Sequence, residues 1–189
     1  MPDDESVTRR LILINGVPGS GKSTLARTWC ERHAPDLPLG LDIDTIRSML
    51  GGWRHRLTDA GLAARDIAVA AIEAHLGTDH DVLVPQYLRR PEFIGRLEAV
   101  ADACGASFVE TALAIDPTTA GTRLRARTRT AGHGDPHGSL PEDLTTTVRA
   151  FEAFMLTRKN ATRIPGGTGV LEALDALEAA VAHTGTGAP

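Results

Sequence analysis

The sequence predicts a single α/β domain built around a parallel β-sheet. Short apolar runs alternate with segments of helical periodicity along the chain, and this alternation is typical of parallel strands joined by right-handed helical crossovers. The 189 residues are 42% hydrophobic, which is enough to bury one substantial core. We therefore expect one domain over residues 1–189, with a disordered tail at about 184–189.

Each strand and helix follows from a local pattern. Apolar runs predict strands at 10–15, 37–41, 82–84, within 106–115 and at 162–164. Helical periodicity predicts helices at 22–33, 43–50, 57–76, 92–104, from 117 through the arginine-rich segment 123–129, at 141–158 and at 169–183. Asp116 is placed to cap the fifth helix, and Pro117 and Pro141 suit first helical turns.

The bulk composition favours a small or terminal substrate over a long nucleic acid. The formal net charge is −4, which argues against a broad basic surface but is compatible with one basic groove. The two cysteines, Cys30 and Cys104, have neither metal-ligand nor C-x-x-C spacing. Because residues 1–6 lack the features of a secretory signal and no apolar run reaches membrane length, we expect a cytoplasmic protein with no membrane partner.

A glycine-rich turn follows the first predicted strand at once. Residues 16–24 read Gly-Val-Pro-Gly-Ser-Gly-Lys-Ser-Thr and match G-x-x-x-x-G-K-[ST] between a strand and a helix, which is the context of a phosphate-binding P-loop. The glycines let backbone N–H groups converge on the β-phosphate, and the helix that begins near Lys22 adds the positive end of its dipole. Lys22 is predicted to bridge the β- and γ-phosphates, and Ser23 to bind Mg²⁺. The predicted nucleotide-binding residues of this turn are Gly16, Pro18, Gly19, Ser20, Gly21, Lys22, Ser23 and Thr24.

Two aspartates and an arginine follow the second predicted strand, whose carboxyl end should lie beside the P-loop. We predict that Asp44 accepts the proton of an incoming hydroxyl group, and that Arg47 holds an anionic group of the acceptor or a phosphate. Two alternatives stay open on spacing alone. Asp44 merely caps a helix with Arg47 as a solvated partner, or Asp42 rather than Asp44 contacts the substrate, water or Mg²⁺.

Three features together resemble the small P-loop kinases of the AAA_33 type. They are the P-loop at 16–24, the Asp-x-x-Arg pattern of Asp44 and Arg47, and the later arginine-bearing helix. This group includes polynucleotide 5′-hydroxyl kinases, chloramphenicol phosphotransferase-like enzymes, gluconate kinases and zeta toxins. The resemblance spans about 10–177 and implies a P-loop NTPase fold with a five-stranded parallel sheet, ATP and Mg²⁺ as cofactors, Asp44 as the base and an arginine-bearing helical lid. Many relatives end the third strand with an aspartate, whereas this strand runs into Pro85 and Gln86. Mg²⁺ would then have to be held by Asp42, by Asp44 through a water molecule, or weakly by Gln86.

The predicted lid covers about 117–140. Its four alternating arginines fall on two helix faces, with Arg123 and Arg127 on one and Arg125 and Arg129 on the other. By analogy with the resembled kinases, we predict that Arg123 and Arg127 neutralise charge on the transferring phosphoryl group. The alternative is that the arginines form only a solvated basic face.

Further candidate contacts lie at the predicted carboxyl edge of the sheet. Gln86, Tyr87 and Arg89 follow the third strand and are candidates for acceptor recognition, although Arg89 is equally consistent with a surface charge. Trp53 is predicted either to line the acceptor pocket or to pack in the core. Arg163 lies where the resembled kinases pass a loop over the adenine, so it either stacks there or belongs to a simple turn.

Three functions are consistent with these residues. The favoured one is an ATP-dependent kinase that phosphorylates a hydroxyl group of a small molecule, such as an antibiotic, a sugar or a nucleoside-like compound, with a polynucleotide 5′-hydroxyl end as the alternative acceptor. A nucleotide-dependent switch without an acceptor is the second, and the absence of an N-K-x-D motif weakens its GTPase form. A toxin-like kinase acting on a sugar nucleotide is the third. The oligomeric state does not follow from the sequence.

Overall fold

A parallel sheet of five strands runs through the part of the chain that the structure, a computed structural model, describes, which is residues 9–131 and 143–184. The strands are β1 (Arg10–Asn15), β2 (Leu39–Gly40), β3 (Val82–Gln86), β4 (Ser107–Ala114) and β5 (Thr162–Pro165). They lie in the order β2-β3-β1-β4-β5, and each neighbouring pair is parallel. The predicted α/β fold with a five-stranded parallel sheet is confirmed.

Seven helices flank this sheet within the same described ranges. They are α1 (Lys22–Arg32), α2 (Ile43–Met49), α3 (Leu57–Leu76), α4 (Pro91–Ala103), α5 (Pro117–Ala131), α6 (Leu144–Met155) and α7 (Val170–Thr184). Short 3₁₀ turns occur at Ala34–Asp36 and Trp53–His55. Within these ranges no helix is both long and apolar enough to cross a membrane.

The two faces of β1 are buried against different helices. Leu11 and Leu13 belong to a cluster with α3 and α4, whereas Ile12 and Ile14 belong to a cluster with α1 and α7. This alternation follows from the two-residue period of a strand, and burial on both faces explains why β1 is apolar at every interior position. A third cluster joins Val17, just after β1, to α5 and α6. The turn that follows β1 is therefore held by the packing of both faces of β1 and by the packing of Val17 against α5 and α6.

The strand order places a crevice at the carboxyl end of β1. Strands β2 and β3 lie on one side of β1 in the sheet, and β4 and β5 lie on the other. The chain therefore crosses from one side of β1 to the other between β3 and β4. In open α/β sheets ligands bind at such a reversal of strand order. The glycine-rich turn lies at this point.

The predicted boundaries of three strands were wrong, the fifth by one residue because β5 ends at Pro165. The second strand was expected at 37–41 but covers Leu39–Gly40, because Leu37 follows a 3₁₀ turn and has a φ of 48°. The third was expected to end at 84 but continues through Pro85 to Gln86. Proline is tolerated there because the pairing with β2 reaches only Leu83, so no partner on that side needs the missing N–H group.

The sixth helix is also shorter than predicted. It begins after Asp143, whose side chain accepts a hydrogen bond from the Thr146 N–H group at 3.1 Å, and it ends at Met155 rather than near 158. Pro141, which was expected to open this helix, lies outside the described residues. The same holds for 132–140 of the predicted lid and 185–189 of the predicted tail.

Candidate active site

The glycine-rich turn has the backbone geometry that a phosphate cradle requires. Gly19 and Gly21 have φ values of 83° and 97°, in the left-handed region that favours glycine. A side chain at Gly19 would also collide with the Ala120 carbonyl oxygen of α5, 2.5 Å from the Cβ position. Because Gly21 is the N-cap of α1 and has no side chain to cap it, the first N–H groups of that helix are left for an anion.

Lys22 opens α1 and lines the larger of two cavities beside this turn, with a volume of about 780 Å³. Its Nζ atom lies 3.4 Å from the Val17 carbonyl oxygen. The pKa of Lys22 is lowered to about 8, mainly because burial penalises the charged ammonium group; Asp44 and Asp42 oppose this shift, and Arg127 adds to it. A bound polyphosphate would supply the negative charge that this site lacks.

Asp42 connects the P-loop to α2. It is the N-cap of α2, and its Oδ1 atom accepts hydrogen bonds from the N–H groups of Asp44 at 3.0 Å and Thr45 at 3.4 Å. Its Oδ2 atom accepts a hydrogen bond from the Ser23 hydroxyl group at 2.9 Å. The helix cap is therefore Asp42, and the alternative that Asp44 is the cap was wrong.

Asp44 lies in the first turn of α2 and lines the same cavity as Lys22. It forms an ion pair with Arg47 at 3.1 Å, and both side chains are about one-fifth exposed, at 23% and 22%. Arg47 also lines the cavity, and its guanidinium group stacks over the Trp53 ring at 5.4 Å. The structure thus brings together the Asp44 and Arg47 pair that the sequence singled out. Trp53 is 8% exposed, so it packs beneath Arg47 instead of lining the cavity.

The end of β3 is tied to the end of β1 by Asn15. The buried Asn15 side chain donates to the Leu88 carbonyl oxygen at 3.1 Å and accepts from the N–H groups of Leu88 and Gly16, both at 2.9 Å. This arrangement fixes the end of β3 and the segment that follows it, where Gln86 and Tyr87 line the cavity. Burial raises the pKa of Tyr87, opposed by Arg89, whose guanidinium group lies 5.6 Å from the ring centroid. Arg89 itself is exposed and does not line the cavity.

The arginines of α5 divide as their spacing predicted. Arg123 and Arg127 line the cavity, whereas the exposed Arg125 and Arg129 do not. Arg123 donates hydrogen bonds to the carbonyl oxygens of Ser20 at 3.2 Å and Gly166 at 2.6 Å. It thereby links the P-loop to the segment between β5 and α7. Its predicted contact with the phosphates, and the lid movement of α5, stay predictions.

A second cavity of about 240 Å³ adjoins the first on the other side of Arg123. It is lined by Ser20, Gly21, Thr24, Leu25, Leu113, Arg123, Gly166, Thr168, Gly169, Val170 and Ala173. These residues come from the P-loop, α1, β4, α5, the segment between β5 and α7, and the start of α7, and most of them are glycine, hydroxyl-bearing or aliphatic residues. Such a lining suits a flat heteroaromatic ring next to the phosphate cradle.

Comparison with known proteins identifies the family. The family model AAA_33, described as an AAA domain, matches residues 11–145, which is more than half of the chain. The chain belongs to the AAA_33 family. The predicted resemblance is therefore confirmed. No curated protein sequence is significantly similar to this chain.

Two solved structures share the fold of this AAA_33 protein. A gluconokinase from Sinorhizobium meliloti 1021 has 16% sequence identity and a TM-score of 0.59, with 93% of each chain covered. A candidate kinase from Chloroflexus aurantiacus J-10-fl has 12% identity and a TM-score of 0.66, with 94% of this chain and 98% of that chain covered. At these identities the likeness shows a shared fold alone.

Sequence reasoning missed three residues that line the larger cavity, Arg65, Leu124 and Ala126, and the predicted adenine contact Arg163 lies elsewhere. Arg65 of α3 lines the larger cavity, although its alanine-rich helix gave no signal of a site. Arg163, the predicted adenine contact, lies on β5, forms an ion pair with Glu152 of α6 and lines neither cavity. The alternative of a simple turn was wrong because the strand extends past Arg163, and the adenine contact stays a prediction.

Proposed function

We propose that this protein is an ATP-dependent kinase that transfers the γ-phosphate to a hydroxyl group of a small molecule. The observation that carries the proposal is that Lys22 of the P-loop and Asp44 of α2 line one cavity. A phosphate donor held by Lys22 would therefore lie next to the Asp44 carboxylate, which can accept a proton. The adjoining cavity beyond Arg123 supports binding of the nucleotide base.

The proposed reaction is an in-line displacement. The acceptor hydroxyl oxygen forms a bond to the γ-phosphorus, the bond between that phosphorus and the β,γ-bridging oxygen breaks, and ADP leaves. The hydroxyl proton passes to the Asp44 carboxylate. Lys22 and Arg127 would balance the charge of the phosphates, and the backbone N–H groups at the start of α1 would hold them.

The chain carries residues that fit Mg²⁺. The Ser23 hydroxyl and the Asp42 carboxylate are hydrogen-bonded to each other and are hard oxygen ligands of the type that Mg²⁺ prefers. When bound with the nucleotide, the metal would neutralise phosphate charge. Because Asp42 is already held by the N-terminus of α2, we assign it to this metal site and Asp44 to proton transfer.

Two substitutions with matched controls test the proposal. Lys22→Ala should abolish nucleotide binding or turnover, while Lys159→Ala, which changes the other lysine of the chain at an exposed position, should have no effect. Asp44→Asn should keep nucleotide binding and reduce phosphoryl transfer by a factor on the order of 10² or more. The exposed Asp102→Asn is its control.

The assay is a screen of hydroxyl compounds and 5′-hydroxyl oligonucleotides with γ-labelled ATP. The proposal would be supported if label is transferred to a small molecule and if this transfer depends on Lys22 and Asp44. Label only in oligonucleotide ends, with salt-dependent binding, would make the chain a polynucleotide 5′-hydroxyl kinase. Nucleotide binding with slow hydrolysis and no labelled product would instead identify a nucleotide-dependent switch.

A further inference from the structure

The cavity has an excess of positive charge away from the P-loop. Among the described residues, its charged lining side chains are Lys22, Asp44, Arg47, Arg65, Arg123 and Arg127. Arg123 and Arg127 lie on α5, which follows β4, whereas Arg47 and Arg65 lie on α2 and α3, which lie between β2 and β3 in the chain. The sheet order separates these two groups on opposite sides of β1. The nucleotide therefore does not account for Arg47 and Arg65.

Arg65 has no acidic partner among the residues that the structure describes. Its guanidinium group lies 5.1 Å from the centroid of the buried Phe93 ring. The adjacent Asp66 pairs instead with Arg96 of α4, at 2.6 Å. In the described part of the chain no carboxylate forms an ion pair with Arg65. A half-buried guanidinium group on an aromatic ring is positioned to bind an external anion.

Arg47 is oriented from two sides. The Asp44 carboxylate pairs with it at 3.1 Å, and the Trp53 ring lies beneath it at 5.4 Å from the centroid. Its position next to Asp44 puts a cation beside the group that would receive the acceptor proton. An acceptor anchored at Arg65 and Arg47 would thus have its hydroxyl group near Asp44.

We propose that the acceptor carries an anionic group, a carboxylate or a phosphate, that Arg65 binds together with Arg47. Both oxyanions match the planar guanidinium fork, which can donate two parallel hydrogen bonds. Arg65 is thereby a specificity-determining residue, and the anion takes no part in the bond changes. This inference rests on the kinase function proposed above.

The test compares acceptors in matched pairs that differ in one anionic group. The carboxylate arm uses D-glycerate against glycerol and D-gluconate against D-glucitol. The phosphate arm uses glycerol 3-phosphate against glycerol and adenosine 3′-phosphate against adenosine. Transfer from γ-labelled ATP is measured with the wild type, Arg65→Met, Arg65→Lys and the control Arg96→Met, which removes a neighbouring arginine outside the cavity.

The wild type should transfer phosphate at least about tenfold faster, in kcat/KM, to the anionic member of one arm. Arg65→Met keeps an unbranched stem over Phe93 and should raise the KM for that acceptor by about 10- to 100-fold, with little change in kcat or in the KM for ATP, because charge-assisted hydrogen bonds have this strength. Arg65→Lys should restore only part of the loss. Equal use of charged and neutral acceptors, or an unchanged KM in Arg65→Met, would overturn the inference while leaving the kinase proposal intact.

A binding measurement keeps the inference testable if no compound is phosphorylated. The same panel is titrated by calorimetry into protein saturated with Mg²⁺ and a non-hydrolysable ATP analogue. Anion binding that weakens in Arg65→Met but not in Arg96→Met would support the anion subsite even though the kinase proposal had failed. Binding of no anionic member, or equal binding by both variants, would reject the subsite. Thermal melting of each variant excludes misfolding as the cause.

Discussion

At the scale of single residues, we expect Lys22 to make nucleotide binding sensitive to pH. Its pKa is lowered to about 8 by burial, and a bound triphosphate favours the ammonium form and so raises that pKa. Well below pH 8, Lys22 is thus charged both in the free protein and in the nucleotide complex. The affinity for the nucleotide is then independent of the titration of Lys22. Above pH 8, binding must take up a proton, so affinity should fall by up to about tenfold per pH unit.

Calorimetry at several pH values, in buffers with different ionisation enthalpies, measures this proton uptake directly. Lys22→Arg is the control, since a guanidinium group stays charged throughout this range. If Lys22→Arg takes up as many protons as the wild type above pH 8, the titrating group is not Lys22.

Asn15 provides a second prediction at this scale. Asn15→Leu would leave the N–H groups of Gly16 and Leu88 and the Leu88 carbonyl without the partners that the amide provides. We expect a loss of at least about 2 kcal/mol in the free energy of unfolding, together with weaker nucleotide binding. Urea denaturation measures the first effect. Asn160→Leu, at the other asparagine and an exposed position, should be close to neutral, and an equal loss in both variants would contradict the role of Asn15.

The single residues also show which kinds of site can be read from a sequence. The P-loop was predictable because its residues are contiguous and their roles follow from backbone geometry. Asp42 and Asp44 could not be separated by spacing, since the decision depends on which carboxylate Ser23 contacts. Arg65 could not be found at all, because only the packing of α3 beside α2 brings it to the cavity.

At the scale of elements, most boundaries were predictable because local signals set them. The helix over Leu57–Leu76 has the predicted limits, and Asp116 caps α5 through the Thr119 N–H group at 2.9 Å. The errors arose where an element depends on its neighbours. Pro85 looked like a strand end, but it is accommodated because β2 is too short to pair with it.

Helix α5 supplies the prediction that belongs to this scale. Arg123 joins the P-loop to the β5–α7 segment through the carbonyl oxygens of Ser20 and Gly166. Arg123→Met should therefore weaken nucleotide binding, by about tenfold or more, because both the P-loop and the second cavity lose a shared support. Fluorescent nucleotide titration measures the change. Arg125→Met, on the exposed face, should bind normally; equal weakening in both variants would mean that only the net charge of α5 matters.

At the scale of the whole molecule, a partly buried ion network joins β4, α4 and the segment after α6. Glu110 on β4 has only 4% of its side chain exposed, and Arg158 pairs with it at 2.7 Å and with Glu98 of α4 at 2.6 Å. Glu110 raises the pKa of Arg158 most strongly, against the effect of burial, so the guanidinium group stays charged. This network ties the segment after α6 to the sheet and to α4.

Arg158→Met should be among the most destabilising single changes away from the cavity. It leaves a buried carboxylate without its partner, which costs about 3–5 kcal/mol, so the melting temperature should fall by on the order of 10 °C. Arg96→Met, which breaks only the exposed pair with Asp66, should cost about 1 kcal/mol or less. Because apolar replacement of a whole buried pair is often tolerated, adding Glu110→Leu to Arg158→Met should recover much of the lost stability. A double variant that melts no higher than Arg158→Met would show that packing of the arginine stem, and not its charge, holds α6 to the sheet.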